Sequence, residues 1–251
     1  QSVKRHDLIR DCYAYDVDIL AIQETKCKTF EDTSINFVDS CNGSKSKYRL
    51  LISDQKHSLQ AGLGFVISPK VNQYVTSYHQ ISDRVCYLDL KIPVGENCVR
   101  FCRVVNGYAP TLPNSIADPK VATAYYKDLD TAVDVPSKWD LYVLGDFNAK
   151  IGRRSHEDVD NGLDSYIGRF GNGQRNSNGQ YLLDYLIKNN LFAINTAFKH
   201  PMRHITTRCG WLKDWSAGRR SKKTIPYFTQ IDYILCRNDK TSLFSNARSF
   251  S

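Results

Sequence analysis

A chain of 251 residues with 41% hydrophobic residues is long enough to bury one sizeable core without disulfide staples. Its net charge of +8 favours an anionic partner, either nucleic acid or a phosphorylated surface. No stretch approaches the roughly 18 apolar residues of a membrane span, and no leader opens the chain. The eight cysteines form no C-x-x-C pair. We therefore expect a nuclear or cytoplasmic protein that is neither secreted nor bound to a membrane.

Helical and strand-like hydrophobic patterns follow one another along the chain. Helical spacing predicts helices over residues 3–13, 121–133 and 181–188, the last of them capped by Asn178 or a neighbour. Apolar runs predict strands over residues 17–22, 62–67, 86–92, 99–108, 139–144, 191–194 and 230–235. No internal repeat and no long linker divides this order, so one domain over residues 1–251 is expected.

Acidic and amide side chains lie at the ends of several predicted strands. Glu24 and the pair Asp146 and Asn148 each follow a strand, and Asp232 lies inside the last one. Strand ends along one edge of a sheet can converge on a rigid scaffold. Phosphodiester hydrolysis needs a hard cation held by one or two carboxylates, an oriented water and donors to the developing charge. These residue types meet that demand.

Each of these groups also has a purely structural interpretation. Glu24 alone is typical of a surface glutamate, and Asp146 with Asn148 is typical of an Asx turn. Tyr108 at a strand end is as readily a packing residue as a functional one. Arg84 is interpreted as an ion-pair partner. Their occurrence together in one chain favours the functional interpretation.

An acidic segment contains Glu157, Asp158, Asp160 and Asp164 and invites a calcium interpretation. Its Gly162 is misplaced for an EF-hand loop. A solvated loop is therefore the prediction for this segment.

Positive charge is concentrated between Lys199 and Lys223, a window that carries +7 of the net +8. Runs of charge are usually solvated loops. Tryptophans interleaved with the cations also fit a loop that stacks or wedges along a nucleic-acid backbone. The residues expected to make such contacts are Arg208, Trp211, Lys213, Trp215, Arg219, Arg220, Lys222 and Lys223.

Four ordered segments resemble motifs of the endonuclease/exonuclease/phosphatase superfamily, which is related to DNase I and the apurinic endonucleases. They are residues 20–26 (LAIQETK), 107–110 (GYAP), 144–149 (LGDFNA) and 231–233 (IDY). Residues 168–179 and 182–185 most resemble the endonuclease domain of LINE-type retrotransposons and its craniofacial development protein 2-like relatives. The resemblance implies an α+β fold of the DNase I type, a four-layer α/β/β/α sandwich.

The resemblance also implies a role for each strand-end residue. Glu24 would hold the divalent cation, Mg²⁺ with Mn²⁺ as the alternative, and Tyr108 would contact the phosphate through its hydroxyl. Asp146 would orient or deprotonate the attacking water, and Asn148 would donate a hydrogen bond to a phosphate oxygen. Asp232 would orient a histidine.

Asn178 is a further candidate at the phosphate. The implied partner is the DNA backbone, to which the basic window would bind, and the implied reaction is nicking of one strand to leave a 3′-hydroxyl. A monomer is expected, and a reverse transcriptase fused in the parent protein is consistent with the resemblance.

Two elements of the family pattern are expected outside these residues: a first strand carrying an asparagine, and a Ser-Asp-His segment after the last residue. No histidine of the chain is therefore assigned the catalytic role. Two alternatives stay open, a phosphomonoesterase acting on inositol phosphates or lipid head groups, and a non-catalytic derivative that binds nucleic acid or protein.

Overall fold

The structure is a computed structural model that describes residues 2–41, 43–55, 61–111, 119–213 and 224–249. It divides into two compact units, Gln1–Gly145 and Asp146–Ser251. The helices are α1 (Ser2–Ala14), α2 (Pro69–Asn72), α3 (Pro119–Val133), α4 (His156–Asp160) and α5 (Ser177–Asn189). The strands are β1 (Ile19–Gln23), β2 (Glu31–Val38), β3 (Lys45–Ile52), β4 (Leu63–Ile67), β5 (Val75–Ser82), β6 (Val85–Gly95), β7 (Cys98–Tyr108), β8 (Asp140–Asp146), β9 (Leu191–Ala193), β10 (Arg208–Lys213), β11 (Thr224–Thr229) and β12 (Asp232–Arg237).

The first unit contains two sheets that face each other. One has the strand order β1-β4-β3-β2, with antiparallel neighbours throughout. The other places β5, β6, β7 and β8 side by side, and its β5-β6-β7 part is an antiparallel meander. Side chains of both sheets, among them Leu51, Phe65, Leu88 and Val104, form one buried apolar cluster between them.

A helix covers the outer face of each sheet in the first unit. Ile9 and Cys12 of α1 pack with Leu50 and Val66, whose side chains point away from the second sheet. On the other side, α3 packs against β5, β6 and β7. The expected α/β/β/α layer order is therefore confirmed within this unit.

The long strongly patterned elements were predicted correctly, whereas several polar strands were not. Strands β2 and β5 lay outside the predicted elements because their exposed residues interrupt the apolar alternation. Strand β3 was also missed, although its second half is mostly buried. Each gains its stability by pairing with a buried neighbour, which a local pattern does not record. No helix within the described ranges is both long and apolar enough to cross a membrane.

The second unit begins at Asp146, the last residue of β8. Its strands β9 and β12 pair in antiparallel fashion, and α5 buries Leu182 and Leu186 beside them. Asn176 caps α5, because its side-chain oxygen accepts the Gly179 N–H at 2.8 Å.

The acidic segment at residues 157–164 is not a solvated loop, so that prediction was wrong. Ser155 and Asp158 form a reciprocal capping box that starts α4. Asp158 is also buried, and its Oδ1 accepts a hydrogen bond from the Arg175 guanidinium at 2.9 Å. The carboxylate is therefore used to build the fold, and a short 3₁₀ turn at Leu163–Ser165 follows.

The basic window also contains regular structure that was not predicted. Strands β10 and β11 form an antiparallel hairpin with Arg208 opposite Thr229 and Lys213 opposite Thr224. The loop interpretation was therefore wrong for residues 208–213. The predicted contacts Trp215, Arg219, Arg220, Lys222 and Lys223 lie outside the described residues.

Candidate active site

Glu24 follows β1 in an unusual backbone conformation. Along β1, Ile19 and Ala21 face the second sheet, whereas Leu20 and Ile22 face α1. Simple alternation would turn Glu24 toward the α1 side. Instead Glu24 has a positive φ of 56° and its carboxylate meets β7 of the second sheet. The left-handed residue therefore redirects the carboxylate to the other side of the strand.

The turn after Glu24 is held by the residues that lead into β4. Thr25 N–H donates to the Gly62 carbonyl at 3.2 Å, and Lys26 N–H is directed at the Ala61 carbonyl at 3.4 Å. Non-glycine residues at positive φ persist only where the surroundings fix them. These main-chain contacts supply part of that fixation.

The Glu24 carboxylate has one strong partner and remains accessible. The Tyr108 hydroxyl donates to Oε1 at 2.9 Å, while the nearest ion-pair partner, Lys26 Nζ, is 3.6 Å from Oε2. The side chain keeps 49% of its exposure. The structure thus brings together the predicted metal ligand and the predicted phosphate-contacting tyrosine at the ends of β1 and β7.

Tyr108 is itself fixed by a residue whose role the sequence did not reveal. The tyrosine is buried, and the Arg84 guanidinium lies 5.0 Å from its ring centroid and donates to its carbonyl at 3.2 Å. Arg84 was expected to be an ion-pair partner only. The signal that could have found this contact is the position of Arg84 beside β6, the strand that pairs with β7.

In the second unit, Asp146 and Asn148 form a tight turn. Asp146 Oδ1 accepts the Asn148 N–H at 2.8 Å, and Asn148 has a positive φ of 46°. Phe147 between them is buried, and its N–H donates to the Ile231 carbonyl at 2.9 Å. The Asx turn considered from the sequence is therefore present, and it presents both polar side chains from a fixed backbone.

Asn178 supports this turn from the first residues of α5. Its side-chain amide donates to the Asn148 carbonyl at 2.9 Å. The Asn176 side-chain oxygen also accepts the Lys150 N–H at 2.9 Å. Gly179 has no room for a side chain, because a Cβ there would meet the Lys150 carbonyl. The helix and the turn are thus fitted closely together.

Asp232 begins β12 immediately after the residue that contacts Phe147. The Thr207 hydroxyl accepts the Ile231 N–H at 2.9 Å and the Asp232 N–H at 3.1 Å. Burial raises the pKa of the Asp232 carboxyl, and the Thr207 hydroxyl and the Arg208 charge oppose that effect only in part. Asp232 is therefore a carboxylate that the fold keeps partly desolvated.

The β10–β11 hairpin exposes aromatic residues on one face. Trp211 lies opposite Pro226 and Cys209 opposite Phe228, so Trp211 and Phe228 share that face. Their exposed fractions are 70% and 54%. Asn172 donates to the Phe228 carbonyl at 3.1 Å and connects the hairpin to the glycine-rich segment before α5.

The donor chemistry of Glu24 fits a hard divalent cation. Mg²⁺ binds to oxygen ligands, usually through one or two carboxylates, and keeps several of its waters. Among the described residues, the ion-pair partner of Glu24 Oε2 is Lys26 Nζ at 3.6 Å, and the Glu24 side chain is half exposed. Within the described ranges no group of three or more His, Cys, Asp or Glu is placed to form a metal cage.

The fold and these strand-end groups define a mixed α/β protein of the DNase I type. The catalytic domain of APE2 from Xenopus laevis has a similar fold, with a TM-score of 0.59 and 14% identity over 94% of this chain and 78% of that domain. The model of the endonuclease/exonuclease/phosphatase family matches residues 2–248, and the chain belongs to that family.

Two curated relatives share part of this sequence. Craniofacial development protein 2 of Bos taurus is 32% identical over 149 residues, and its Tragulus javanicus counterpart is 31% identical over 149 residues. Each match covers 58% of this chain, but only 21% of the Bos taurus protein and 22% of the Tragulus javanicus protein. The matched part of the chain therefore spans about a fifth of the length of those relatives.

Proposed function

We propose that this chain is a Mg²⁺-dependent phosphodiesterase that nicks one strand of DNA and leaves a 3′-hydroxyl, as a retrotransposon-type endonuclease does. The observation that carries the proposal is the contact between Glu24 and Tyr108, two residues of separate family motifs. A half-exposed carboxylate held by one neutral donor keeps oxygen lone pairs for a cation.

In this proposal each polar side chain has a defined task. Glu24 holds the cation, which supplies charge stabilisation to the phosphate and to the departing oxygen. Tyr108 donates its hydroxyl hydrogen to Glu24, and it would turn that hydrogen to a phosphate oxygen when substrate binds. Asp146 orients the attacking water and takes its proton, and Asn148 donates to a phosphate oxygen. The water oxygen would bond to phosphorus while the bond to the 3′ oxygen breaks, leaving a 5′-phosphate. The 3′ oxygen would depart as an alkoxide and take a proton from solvent to give the 3′-hydroxyl.

Asp232 and Asn178 are proposed to act as supports. Asp232 would orient a histidine by accepting from its ring N–H. Asn178 would keep the Asn148 backbone in its left-handed conformation through the 2.9 Å hydrogen bond to its carbonyl. The burial that raises the pKa of Asp232 also places its carboxylate in surroundings where a hydrogen bond from an imidazole would be strengthened.

The hairpin supports DNA as the substrate. Exposed Trp211 and Phe228 offer flat apolar surface for bases, and Arg208 at the start of β10 is exposed on the other face of the hairpin. Arg219, Arg220, Lys222 and Lys223 belong to the same chain segment and would neutralise phosphates. An inositol phosphate offers no bases to stack on these rings, so a polymer substrate explains the hairpin better.

Two further features complete the proposal. All eight cysteines are free thiols, which supports a reducing compartment, the nucleus or the cytoplasm. The family match over residues 2–248 supports one functional domain, and we propose that it works as a monomer.

Competing substrates test this proposal directly. Supercoiled plasmid and an inositol polyphosphate are each incubated with Mg²⁺ and the chain extended by the expected first strand and Ser-Asp-His segment, and open-circular DNA and free phosphate are measured. We expect nicked plasmid without phosphate release, and phosphate release with intact plasmid would overturn the choice of DNA. Binding without cleavage of either substrate would instead support the non-catalytic alternative.

Asp146→Asn is the informative variant in this assay. An asparagine oxygen still accepts the Asn148 N–H, so the turn is kept while the proton acceptor is lost. Asp140→Asn, at the buried start of the same strand, is the matched control. We expect nicking to disappear in the first variant and to persist in the second.

A further inference from the structure

We propose that Asn106 is the positioning residue that aligns Glu24 with Tyr108, an inference that rests on the proposed role of Glu24 as cation ligand. Asn106 lies on β7 two residues before Tyr108 and is fully buried. The neighbouring side chains on the same face of β7, Cys102 and Val104, are apolar core residues. A buried amide in this row needs a specific reason.

The Asn106 side chain reaches across the core to the first sheet. Its two amide hydrogens go to the Ile22 carbonyl at 3.0 Å and the Gly64 carbonyl at 2.9 Å. Ile22 and Gly64 are register partners in the β1–β4 pair. One side chain therefore connects β7 to two strands of the facing sheet at a single point.

Gln23 completes this arrangement. Its side-chain amide donates to Asn106 Oδ1 at 2.7 Å, so both donors and the acceptor of Asn106 are used. Gln23 immediately precedes Glu24, and Asn106 precedes Tyr108 by two residues. Toward the ends of β1 and β7, the contacts of Asn106 with Ile22 and Gln23 are therefore immediately followed by the contact between Tyr108 and Glu24.

These contacts fix two quantities that the Glu24–Tyr108 contact requires. One is the register of the end of β1 against the end of β7, which core packing between smooth apolar side chains would leave less defined. The other is the orientation of the Ile22–Gln23 peptide, which lies one peptide before the left-handed Glu24. An apolar side chain could fill the same volume as Asn106. We therefore attribute its amide group to the alignment of Glu24 with Tyr108.

Two variants separate alignment from stability. Asn106→Asp keeps the shape but cannot donate to the Ile22 and Gly64 carbonyls. Gln23→Met removes only the donor to Oδ1 and leaves those main-chain contacts, so it serves if the first variant does not fold. Asp140→Asn, a buried polar substitution at the far end of the same sheet, is the control for general destabilisation.

The first readout is the Tyr108 resonance in a chain labelled with ¹³Cζ-tyrosine, assigned with Tyr108→Phe. Glu24→Ala defines its position when the acceptor is absent. We expect both test variants to move the resonance toward that position and the control to leave it in place. An unmoved resonance in a folded Asn106→Asp or Gln23→Met variant overturns the inference.

The second readout is Mn²⁺ binding, followed by the electron paramagnetic resonance signal of the free ion. We expect the Kd to rise by about tenfold in Asn106→Asp, the usual effect of losing a partner that orients a metal ligand. If the test variants move the Tyr108 resonance but the wild-type chain binds no Mn²⁺, the alignment by Asn106 is upheld and the cation role of Glu24 is refuted. If the Kd for Mn²⁺ also rises tenfold in the Asp140→Asn control, the effect of Asn106 is one of general stability and the alignment is refuted.

Discussion

Two carboxylates of the first unit sit in opposite surroundings. Asp89 on β6 is bound at 2.7 and 2.9 Å by the Arg103 guanidinium, which lies 3.7 Å from the Tyr87 ring centroid, and both side chains are almost completely buried. Glu24 is half exposed and accepts one hydrogen bond from a neutral phenol. A carboxylate whose two oxygens are both bound by a guanidinium holds the fold, whereas one left partly open is available to a ligand.

The largest expected effect is on catalysis by Glu24→Gln. The amide keeps the bond from Tyr108 but loses the charge that a cation needs, so we expect nicking to fall by about 10³-fold. Because the side chain is half exposed, the free energy of unfolding should change by less than about 0.5 kcal/mol. Plasmid nicking and urea unfolding of the same preparation measure the two effects.

Asp89→Asn should show the opposite pattern. It leaves the buried Arg103 without its counter-charge, and we expect the free energy of unfolding to fall by about 3 kcal/mol. Mn²⁺ affinity of the folded fraction should stay unchanged. A variant of normal stability with weakened Mn²⁺ binding would remove the contrast between the two carboxylates.

Two carboxyl groups of the second unit, Asp158 and Asp232, have pKa values shifted in opposite directions. The free energy of unfolding should therefore depend on pH through each of them. Burial acts to raise the pKa of Asp158, but hydrogen bonds from Ser155 and the Arg175 guanidinium outweigh it, so the pKa is lowered. Its stabilisation is present above the unfolded-state pKa and is lost as the pH falls through the folded-state value. Asp158→Asn should therefore destabilise at pH 7 by about 1–2 kcal/mol and have little effect near pH 2.

The contribution of Asp232 to stability should depend on pH in the opposite direction, because burial raises its pKa. A raised pKa contributes stability below the unfolded-state value, and this stability is lost as the pH rises through the folded-state value. Asp232→Asn should therefore stabilise the chain at pH 7, measured by urea unfolding against pH. Destabilisation at pH 7 would mean that the ionised carboxylate has structural partners.

The smallest expected effect concerns the hairpin. Trp211→Ala should weaken binding of single-stranded DNA by about 1 kcal/mol, roughly fivefold, because one stacking surface is lost. Ile225→Ala, on the opposite face of the hairpin, is the matched control because its side chain is also exposed. Equal losses in both variants would show that the aromatic face has no special part in binding.

The sequence predicted the strand ends but not what happens just beyond them. Glu24, Tyr108 and Asp146 were placed correctly because strongly apolar strands precede them. The left-handed conformation of Glu24 was not predictable, since it depends on main-chain partners at Gly62 and Ala61 that lie distant in the chain.

Other features were missed for different physical reasons. The β10–β11 hairpin mixes cations with aromatic residues and has no buried face to produce an alternating pattern. In contrast, the start of α4 carried a readable signal. Ser155 and Asp158 have the spacing of a capping box, and giving it more weight than the local charge would have predicted the helix.

Mn²⁺ binding tests the central claim most directly. The wild-type chain, Glu24→Gln and Asp89→Asn are titrated with Mn²⁺, and the free ion is followed by electron paramagnetic resonance. We expect the wild type and Asp89→Asn to bind Mn²⁺ and Glu24→Gln to lose that binding. Equal binding by wild type and Glu24→Gln would contradict this expectation, because the cation would then not need the open carboxylate.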